Sequence, residues 1–248
     1  MKILVCISSV PDTTSKINFT ADKTALDKTG IQWVINPLDE FALTKAVKLQ
    51  ETQGATVTVL NIGEATTEPV IRKALAIGAS EGIRVNTEPK DSFSVATEIA
   101  NVAKAGGYDL ILCGKESIDY NGGAVPGMVA QILNQPFVNA CVGLEVNGAE
   151  ATAIREIEGG KETISVKLPA VIAGQKGMVD EKDLIIPNMR GIMSARTKPL
   201  QVLEPVSTEV RVEAVSYDSV PARAAVKMIS ADNLDELVRL LHEEAKVI

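Results

Sequence analysis

Short apolar runs alternate with longer segments of helical periodicity over the first half of the chain. The runs that resemble buried strands lie at positions 3–7, 56–61, 83–85 and 110–113. The segments in which apolar residues recur at helical spacing lie at positions 37–52, 68–77 and 92–106. Short apolar runs are typical of core strands, and the intervening spacing is typical of amphipathic helices. Strands that alternate with helices predict a parallel sheet with helices on both faces.

The pattern changes after Pro136. Alternating strand patterns cover positions 138–146, 152–157 and 163–168, and a core-type run covers positions 170–173. The pairs Asn147-Gly148 and Gly159-Gly160 separate the first three strands, and such pairs predict tight hairpins. We therefore predict an α/β fold in three layers, whose open and mostly parallel sheet has an antiparallel margin.

A dozen or so small and polar residues separate the strand at 110–113 from the helix that Pro126 begins. Gly122 and Gly123 lie together near the end of this loop, where glycine permits positive φ and the close approach of a ligand. Unpaired N–H groups and the dipole at the helix start favour an anion. We predict a phosphate-binding loop at the carboxyl end of a strand. An ordinary long connection is the alternative, because neither G-x-G-x-x-G nor a Walker sequence is present.

Positions 174–230 lack strong periodicity, whereas positions 231–246 carry apolar residues along one helical face. We predict a nucleotide-binding α/β domain over 1–185 and an extended C-terminal arm over 186–248. Asp232 or Ser230 is expected to cap the final helix. An aperiodic segment of this length needs a function or a support, so we predict that the arm embraces a partner subunit. Packing of the arm back on its own domain is the alternative.

The composition excludes several classes of function. The net charge of −7, the pI near 5.0 and the 3% aromatic content argue against nucleic acids and anionic membranes as partners. The chain shows neither an apolar run of bilayer length nor a signal-peptide pattern, so we expect a cytoplasmic protein without membrane insertion. Three cysteines in separate apolar contexts predict buried thiols. With His242 as the single histidine, we expect neither a metal site nor a catalytic triad.

Several stretches together resemble the β subunit of electron transfer flavoprotein (ETF). The most specific is REIEGGKET at 155–163, followed by KLPAV at 167–171. The others are ILVCISSVPD at 3–12, Asn36-Pro37 before an acidic helix, ALAIGA at 74–79 and LILCGKESID at 110–119. The resemblance covers essentially the whole chain, and it implies a fold like that of the adenine-nucleotide α-hydrolases.

The resemblance also implies a heterodimer in which the ETF α subunit carries most of the FAD. The β subunit supports this flavin, has no catalytic residues of its own and holds a structural AMP. The complex carries electrons from acyl-CoA dehydrogenases, in fatty acid oxidation, to ETF-quinone oxidoreductase. A bifurcating group of the family holds a second FAD in place of AMP, and this remains an alternative.

Two rival classes share parts of the pattern. A stand-alone adenine-nucleotide-binding module of the universal-stress type would need neither the arm after Gly174 nor the hairpin at 155–163. An enzyme of the ATP-pyrophosphatase kind would need an S-G-G-x-D-S loop after the first strand. Residues 8–12 read SSVPD and contain no glycine, which disfavours that class.

The family's nucleotide site corresponds to Cys6, Asn36, Pro37, Leu38, Asp39, Ile62, Gly114, Lys115, Glu116, Ser117, Ile118, Asp119, Tyr120, Asn121, Gly122, Gly123, Ala124 and Val125. The resemblance implies that phosphate lies against the N–H groups of Gly123, Ala124 and Val125. It also implies that adenine lies deeper, near Cys6 and Gly114. The segment lacks the hydroxyl and amide side chains that both family groups have there, so phosphate binding would depend on the backbone.

Further matches concern the nucleotide and the flavin. The run PARA at 221–224 resembles the AMP-binding group of the family, so we expect AMP rather than a second FAD. Thr13 and Leu38 correspond to positions that approach the flavin ring of the partner subunit. Both side chains are uncharged and suit a supporting role.

The dehydrogenase recognition loop of the family corresponds to the segment around Met189, with Arg190, Ile192 and Met193. Met189 stands where the family has an anchoring leucine, which enters an apolar pocket of the dehydrogenase. Flexible methionines suit a surface that accepts several partners. The alternative is a methionine buried in a folded-back arm.

Overall fold

The predicted mostly parallel sheet is present in a computed structural model, which describes residues 1–206, 209–223 and 225–248. The strands in these ranges are β1 (Lys2–Cys6), β2 (Ser9–Pro11), β3 (Trp33–Ile35), β4 (Thr56–Ile62), β5 (Glu81–Val85), β6 (Leu110–Gly114), β7 (Phe137–Asn147), β8 (Glu150–Ile157), β9 (Gly160–Lys167), β10 (Ala170–Gly174) and β11 (Leu200–Leu203). The α-helices are α1 (Pro37–Gln53), α2 (Glu68–Ile77), α3 (Ser92–Gly106), α4 (Val125–Leu133), α5 (Met189–Ala195) and α6 (Leu234–Arg239). Shorter helical turns cover Ala65–Thr67, Glu181–Asp183 and Leu240–Glu244.

The main sheet has the strand order β11-β5-β4-β1-β6-β10-β7-β8-β9, and β2 pairs with β3 in a small antiparallel sheet. Neighbouring strands from β11 to β7 run parallel. Strands β7, β8 and β9 are joined by antiparallel hairpins. Their turns contain Gly148 at φ +63° and Gly159 at φ +81°, a region that glycine enters without strain. The predicted antiparallel margin is therefore confirmed.

Apolar clusters cover both faces of the sheet and give the predicted three layers. On one face Val5 and Leu112 join the cluster of α1 and α2, and on the other Leu4 and Ile111 join that of α3 and α4. Successive residues of β1 and β6 thus face opposite sides, as the period of a strand requires. Because both faces are covered, β6 is buried at every position, which explains its continuous apolar sequence.

Helix α5 and strand β11 lie in the segment that showed no periodicity. Helix α5 has seven residues and β11 has four, and elements this short do not display a period. Strand β11 extends the sheet beside β5, where Gly82 N donates to Pro199 O at 2.9 Å. This part of the segment therefore rests on the α/β domain.

The C-terminal helix is shorter than its apolar pattern predicts. The α-helix covers only α6 and continues as a wider turn through Leu240–Glu244. It begins after Asn233, whose side chain accepts from Glu236 N at 3.4 Å. The prediction of Asp232 or Ser230 as the cap is wrong, because Asp232 N donates to Ser230 Oγ in the turn before the helix (3.3 Å). None of the helices described is both long and apolar enough to cross a membrane.

Internal contacts divide the chain into two units. The first unit comprises residues 1–17 and 27–215 and contains the main sheet, and the second comprises residues 18–26 and 216–248. In the second unit the ring of Tyr217 stacks on that of Phe19, with centroids 5.1 Å apart. The boundary predicted after residue 185 falls within the first unit and stays a prediction.

Candidate nucleotide site

The carboxyl ends of β4, β1 and β6 lie side by side at one edge of the sheet. The chain passes from β1 through α1 to β4 on one side, and it later places β6 on the other side of β1. Ligands of open α/β sheets bind in the crevice at such a reversal of strand order. The structure brings Cys6, Ile62 and Gly114 to this edge, and all three are buried.

Asn36 precedes α1 and fastens the loop that follows β6. Its Nδ2 donates to Glu116 O at 2.9 Å, and its Oδ1 accepts from Ile118 N at 3.3 Å. Its own N–H donates to Ser8 O in the loop after β1, at 2.9 Å. The residue is buried, and both ends of its side-chain amide have backbone partners. Asn36 therefore positions the loop.

Asp39 lies in the first turn of α1 and is 4% exposed. Its Oδ2 accepts from Ser8 N at 2.7 Å and its Oδ1 from Gly114 N at 2.8 Å, so the carboxylate joins the ends of β1 and β6. Burial raises the pKa of Asp39 to about 7, against the hydrogen bonds from Ser8 and Gly114, which lower it. The contact with Ser8 is a feature that the sequence analysis missed, because a backbone N–H leaves no mark in a sequence.

Gly114 leaves room for Asp39. A Cβ placed on Gly114 would lie 2.3 Å from Asp39 Oδ1 and 3.0 Å from Asp39 N. Any side chain at this position would have to displace the Asp39 carboxylate or the start of α1. The side of Gly114 that lacks a side chain is thus occupied by the first turn of α1.

Pro37 and Leu38 form the outer surface of the same turn. Pro37 begins α1 and is exposed, whereas Leu38 is half-buried. Thr13 is exposed in the turn after β2. These apolar or uncharged side chains offer packing surface beside the crevice.

The loop between β6 and α4 has a braced first half and an exposed second half. Lys115 N donates to Gly174 O at 2.7 Å, which continues the pairing of β6 with β10. Residues 115–118 are half-buried, and residues 119–124 are exposed. The predicted site residues of this loop therefore differ in their surroundings.

Positive φ in this loop occurs at Asn121, with φ +49°. The prediction that Gly122 and Gly123 supply it is wrong, because neither has φ in the left-handed region. Asparagine visits that region more readily than most residues, since its short polar side chain bonds locally. Gly122 instead leaves the surface open: a Cβ there would meet nothing within 4 Å.

The start of α4 carries unpaired donors. Ala124 is the N-cap and has no side chain that could cap the helix. Over the ranges that the structure describes, the N–H groups of Gly123, Ala124 and Val125 donate to no protein acceptor. Pro126 is the second helical residue, one position later than predicted. The first N–H groups of a helix have no partner within the helix, so proline loses no hydrogen bond at this position. The free amides and the helix dipole can hold one anionic group.

The three cysteines are free and buried, which confirms the prediction of buried thiols. Cys6 ends β1, and the register of β1 with β6 places it beside Cys113. A hydrogen bond with Cys113, together with burial, raises the pKa of the Cys6 thiol well above its usual value. Cys6 therefore contributes a neutral, apolar wall to the crevice.

The predicted recognition residues lie on α5 rather than in a loop. Met189 is 73% exposed, Met193 is 62% exposed, and Ile192 and Arg190 are exposed as well. The alternative of a buried Met189 is therefore wrong. The structure places this exposed apolar surface on an element separate from the crevice.

Two basic side chains, those of Arg72 and Lys198, connect α5 and the residues after it to α2 through hydrogen bonds. Arg72 Nη1 donates to Ala195 O at 3.0 Å and to Lys198 O at 2.9 Å. Lys198 Nζ donates to Leu75 O at 2.8 Å and to Ala79 O at 2.6 Å, and so satisfies carbonyls at the end of α2. A cavity of about 610 Å³ lies between the two helices. Neither residue could be predicted from the sequence, because single basic residues carry no pattern.

Comparison with known proteins agrees with this architecture. The sequence model of the electron transfer flavoprotein domain matches residues 23–208. Over the full length of both chains, the protein is 33% identical to the electron transfer flavoprotein subunit beta of Bacillus subtilis (strain 168). It is 36% identical to that of Syntrophomonas wolfei, over 91% of this chain and 88% of the other. It is 30% identical to that of Homo sapiens, over 100% and 99%. The chain belongs to the electron transfer flavoprotein family.

Proposed function

We propose that the chain is the β subunit of a heterodimeric electron transfer flavoprotein. In this role it pairs with an α subunit, supports the FAD that the α subunit holds, and binds AMP as a structural nucleotide. It also docks acyl-CoA-type dehydrogenases, from which the complex carries electrons to a quinone reductase. The chain contributes position and contact surface, and the redox chemistry belongs to the flavin.

The observation that carries the nucleotide proposal is the group of free amides at the start of α4. Three consecutive residues, Gly123 to Val125, have N–H groups without a protein acceptor among the described residues. They end the loop that begins at the crevice between β1 and β6. A hydrogen bond to a charged group contributes about 1.5–3 kcal/mol, so these amides can hold one phosphate without help from side chains.

The observation that supports a partner subunit is the apolar surface of the second unit. Val220, Val226 and Met228 are 90%, 81% and 84% exposed, and Leu234 and Val238 are exposed as well. Isolated exposed apolar residues are ordinary, but this many within one short segment of the chain favour a surface that another protein covers. The α subunit is the partner that the relatives' names indicate.

The observation that supports dehydrogenase docking is the exposure of Met189 and Met193 on a firmly held helix. Their thioether side chains can adapt to pockets of different shape. Hydrogen bonds from Arg72 and Lys198 hold the backbone of this region in place, so the exposed side chains project from an ordered helix. An ordered backbone lowers the conformational entropy that is lost when a partner binds.

The experiment is to co-express the chain with an ETF α-type subunit, purify the complex and denature it. Released nucleotides are then identified and counted by mass spectrometry. We expect one FAD and one AMP per heterodimer. Two FAD would contradict the AMP assignment, one FAD alone would show that the β-subunit site is empty, and failure to form a complex would contradict the proposed function itself.

A further inference from the structure

Few contacts hold the segment that follows β11. We call this segment, residues 204–206 and 209–212, the strap. Its residues are exposed and belong to no strand or helix. Within the described part of the chain, the strap is hydrogen-bonded to other elements only through two carboxylates, those of Glu98 and Asp91. Such a segment opens more easily than a sheet or a helix, because few contacts must break.

Glu98 holds the first part of the strap. Its Oε1 and Oε2 accept from Val206 N at 2.9 and 3.2 Å. The residue lies in α3 and is 4% exposed. A buried carboxylate needs hydrogen-bond donors, since burial removes the water that would otherwise solvate it. Val206 N is the donor that the described residues provide, so Glu98 and the strap satisfy each other.

Asp91 holds the second part of the strap. Its Oδ2 accepts from Arg211 N at 2.8 Å and from Val212 N at 3.2 Å. Its Oδ1 accepts from Ser94 N at 2.8 Å and so caps α3. The guanidinium of Arg211 lies over the ring of Phe93, 3.5 Å from the ring centroid, and adds a cation–π contact. The same carboxylate thus begins the helix and attaches the strap to it.

A cavity of about 110 Å³ lies between the strap and α3. Val206 and Val210 of the strap form one wall, and Val95 and Glu98 of α3 form another. Ile62, which ends β4 at the edge of the candidate nucleotide site, lines the same cavity. Because Ile62 belongs to both, the strap lies on the β4 side of the crevice.

We propose that the strap is a removable wall on the β4 side of the nucleotide site, kept closed by Glu98 and Asp91, which must open for rapid exchange of the bound nucleotide. The inference rests on the proposed nucleotide binding and adds a means of regulating that site. A closed wall slows both entry and release of a ligand. It changes the two rates together, so the dissociation constant, which is their ratio, changes much less.

The test compares Glu98→Ala with Glu98→Gln in the complex with the α-type subunit. Alanine removes the acceptor for Val206 N, whereas glutamine keeps an oxygen that can accept from it. Bound AMP is exchanged for isotopically labelled AMP, and the rates of release and association are measured by mass spectrometry. We expect both rates to rise several-fold in the alanine variant, with little change in the dissociation constant. The glutamine variant should stay near the wild type.

Hydrogen–deuterium exchange of the Val206 amide reports directly on the strap. We expect this amide to lose protection in the alanine variant, while the amides of β4 and β6 keep theirs. Glu88→Ala is the matched control, because Glu88 lines the same cavity without a hydrogen bond to the described part of the strap. It should leave both AMP rates and the exchange of the Val206 amide unchanged.

Equal AMP rates in the alanine variant and the wild type would overturn the inference. Faster release without faster association would also overturn it, because that result indicates damage to the nucleotide site. Should Glu98→Ala fail to fold, Arg211→Ala is used in its place, since it removes an exposed contact of the strap and should raise both rates by a smaller factor. Absence of AMP from the wild-type complex would instead count against the proposed function, and the Val206 amide would still report whether Glu98 holds the strap.

Discussion

The two units of the chain differ in how far each buries its own apolar surface. In the first unit, β6 and β10 are buried at every position, and helices cover both faces of the sheet. In the second, Val220, Val226 and Met228 are each more than 80% exposed. Its described contacts include the stack of Phe19 on Tyr217 and an exposed ion pair.

This difference indicates where the chain needs another protein. A core that is closed on both faces stabilises the sheet by itself, because each buried aliphatic side chain contributes about 1.5–3 kcal/mol. Exposed ion pairs contribute little, at about 0–1 kcal/mol. We therefore expect the second unit, but not the first, to need a covering surface.

The largest expected effect comes from truncation within the closed core. Leu110→Ala removes a fully buried side chain of β6 and should destabilise the chain by about 2–5 kcal/mol, because the cavity cannot collapse between two covered faces. Val220→Ala in the second unit should change stability by about 0.5 kcal/mol or less. Urea unfolding measures the free energy of unfolding of both variants. Equal decreases for Leu110→Ala and Val220→Ala would contradict the difference between the two units.

The pH dependence of stability tests the buried carboxylate within the first unit. The pKa of Asp39 is raised from 3.8 to about 7, so between these values the folded chain binds more protons at this group than the unfolded chain does. Its contribution to stability is full below pH 3.8 and is lost as pH rises to about 7. The slope reaches up to about 1.4 kcal/mol per pH unit.

Asp39→Asn removes this titration, so the difference in unfolding free energy between the variant and the wild type should change across that range. Paired unfolding curves at pH 5 to 8 provide the measurement. Parallel pH profiles for the two proteins would show that Asp39 does not titrate as described.

A close contact at the carboxyl edge predicts a smaller effect. Gly114→Ala brings a Cβ to 2.3 Å from Asp39 Oδ1, and such overpacking should cost about 1–3 kcal/mol. The matched control is Gly122→Ala on the exposed half of the same loop, where a Cβ meets nothing within 4 Å. Gly114→Ala should unfold at a lower temperature than Gly122→Ala. Equal unfolding temperatures would mean that α1 shifts to make room for the Cβ without a cost in stability.

The smallest effect on stability is expected on the exposed face of α5. Met189→Ala should change the free energy of unfolding by about 0.5 kcal/mol or less, because the side chain is 73% exposed. Electron transfer from an acyl-CoA dehydrogenase to the complex should nevertheless slow several-fold. Ile186→Ala, at 84% exposure on the adjoining segment, is the control. An unchanged rate of electron transfer for Met189→Ala would contradict the proposed role of this residue in docking.

The closed unit was also the more predictable from sequence. Runs such as residues 110–113 read as strands because burial on both faces requires continuous apolar residues. Helices α1 to α3 were predicted because each shows a helical period over ten residues or more. Short elements such as α5 and β11 were missed, because their stability comes from contacts with α2 and β5 rather than from a local pattern.

At the candidate site, residue types were predicted better than their arrangement. The sequence located the loop and the helix start, but it assigned positive φ to Gly122 and Gly123 when Asn121 has it. The position of Asp39 near the ligand stays a prediction, and the sequence did not show that its carboxylate accepts from the backbone N–H groups of Ser8 and Gly114. Such details depend on which N–H groups lack partners after folding, and a sequence does not show this.

Hydrogen–deuterium exchange of the chain with and without an ETF α-type subunit tests the comparison most directly. We expect amides in 216–223 and 225–248 to become protected when the subunit binds. Amides in β1, β4 and β6 should be slow to exchange in both states. Unchanged exchange in the second unit, or protection that appears only in the sheet, would contradict the claim that the α-type subunit covers the second unit.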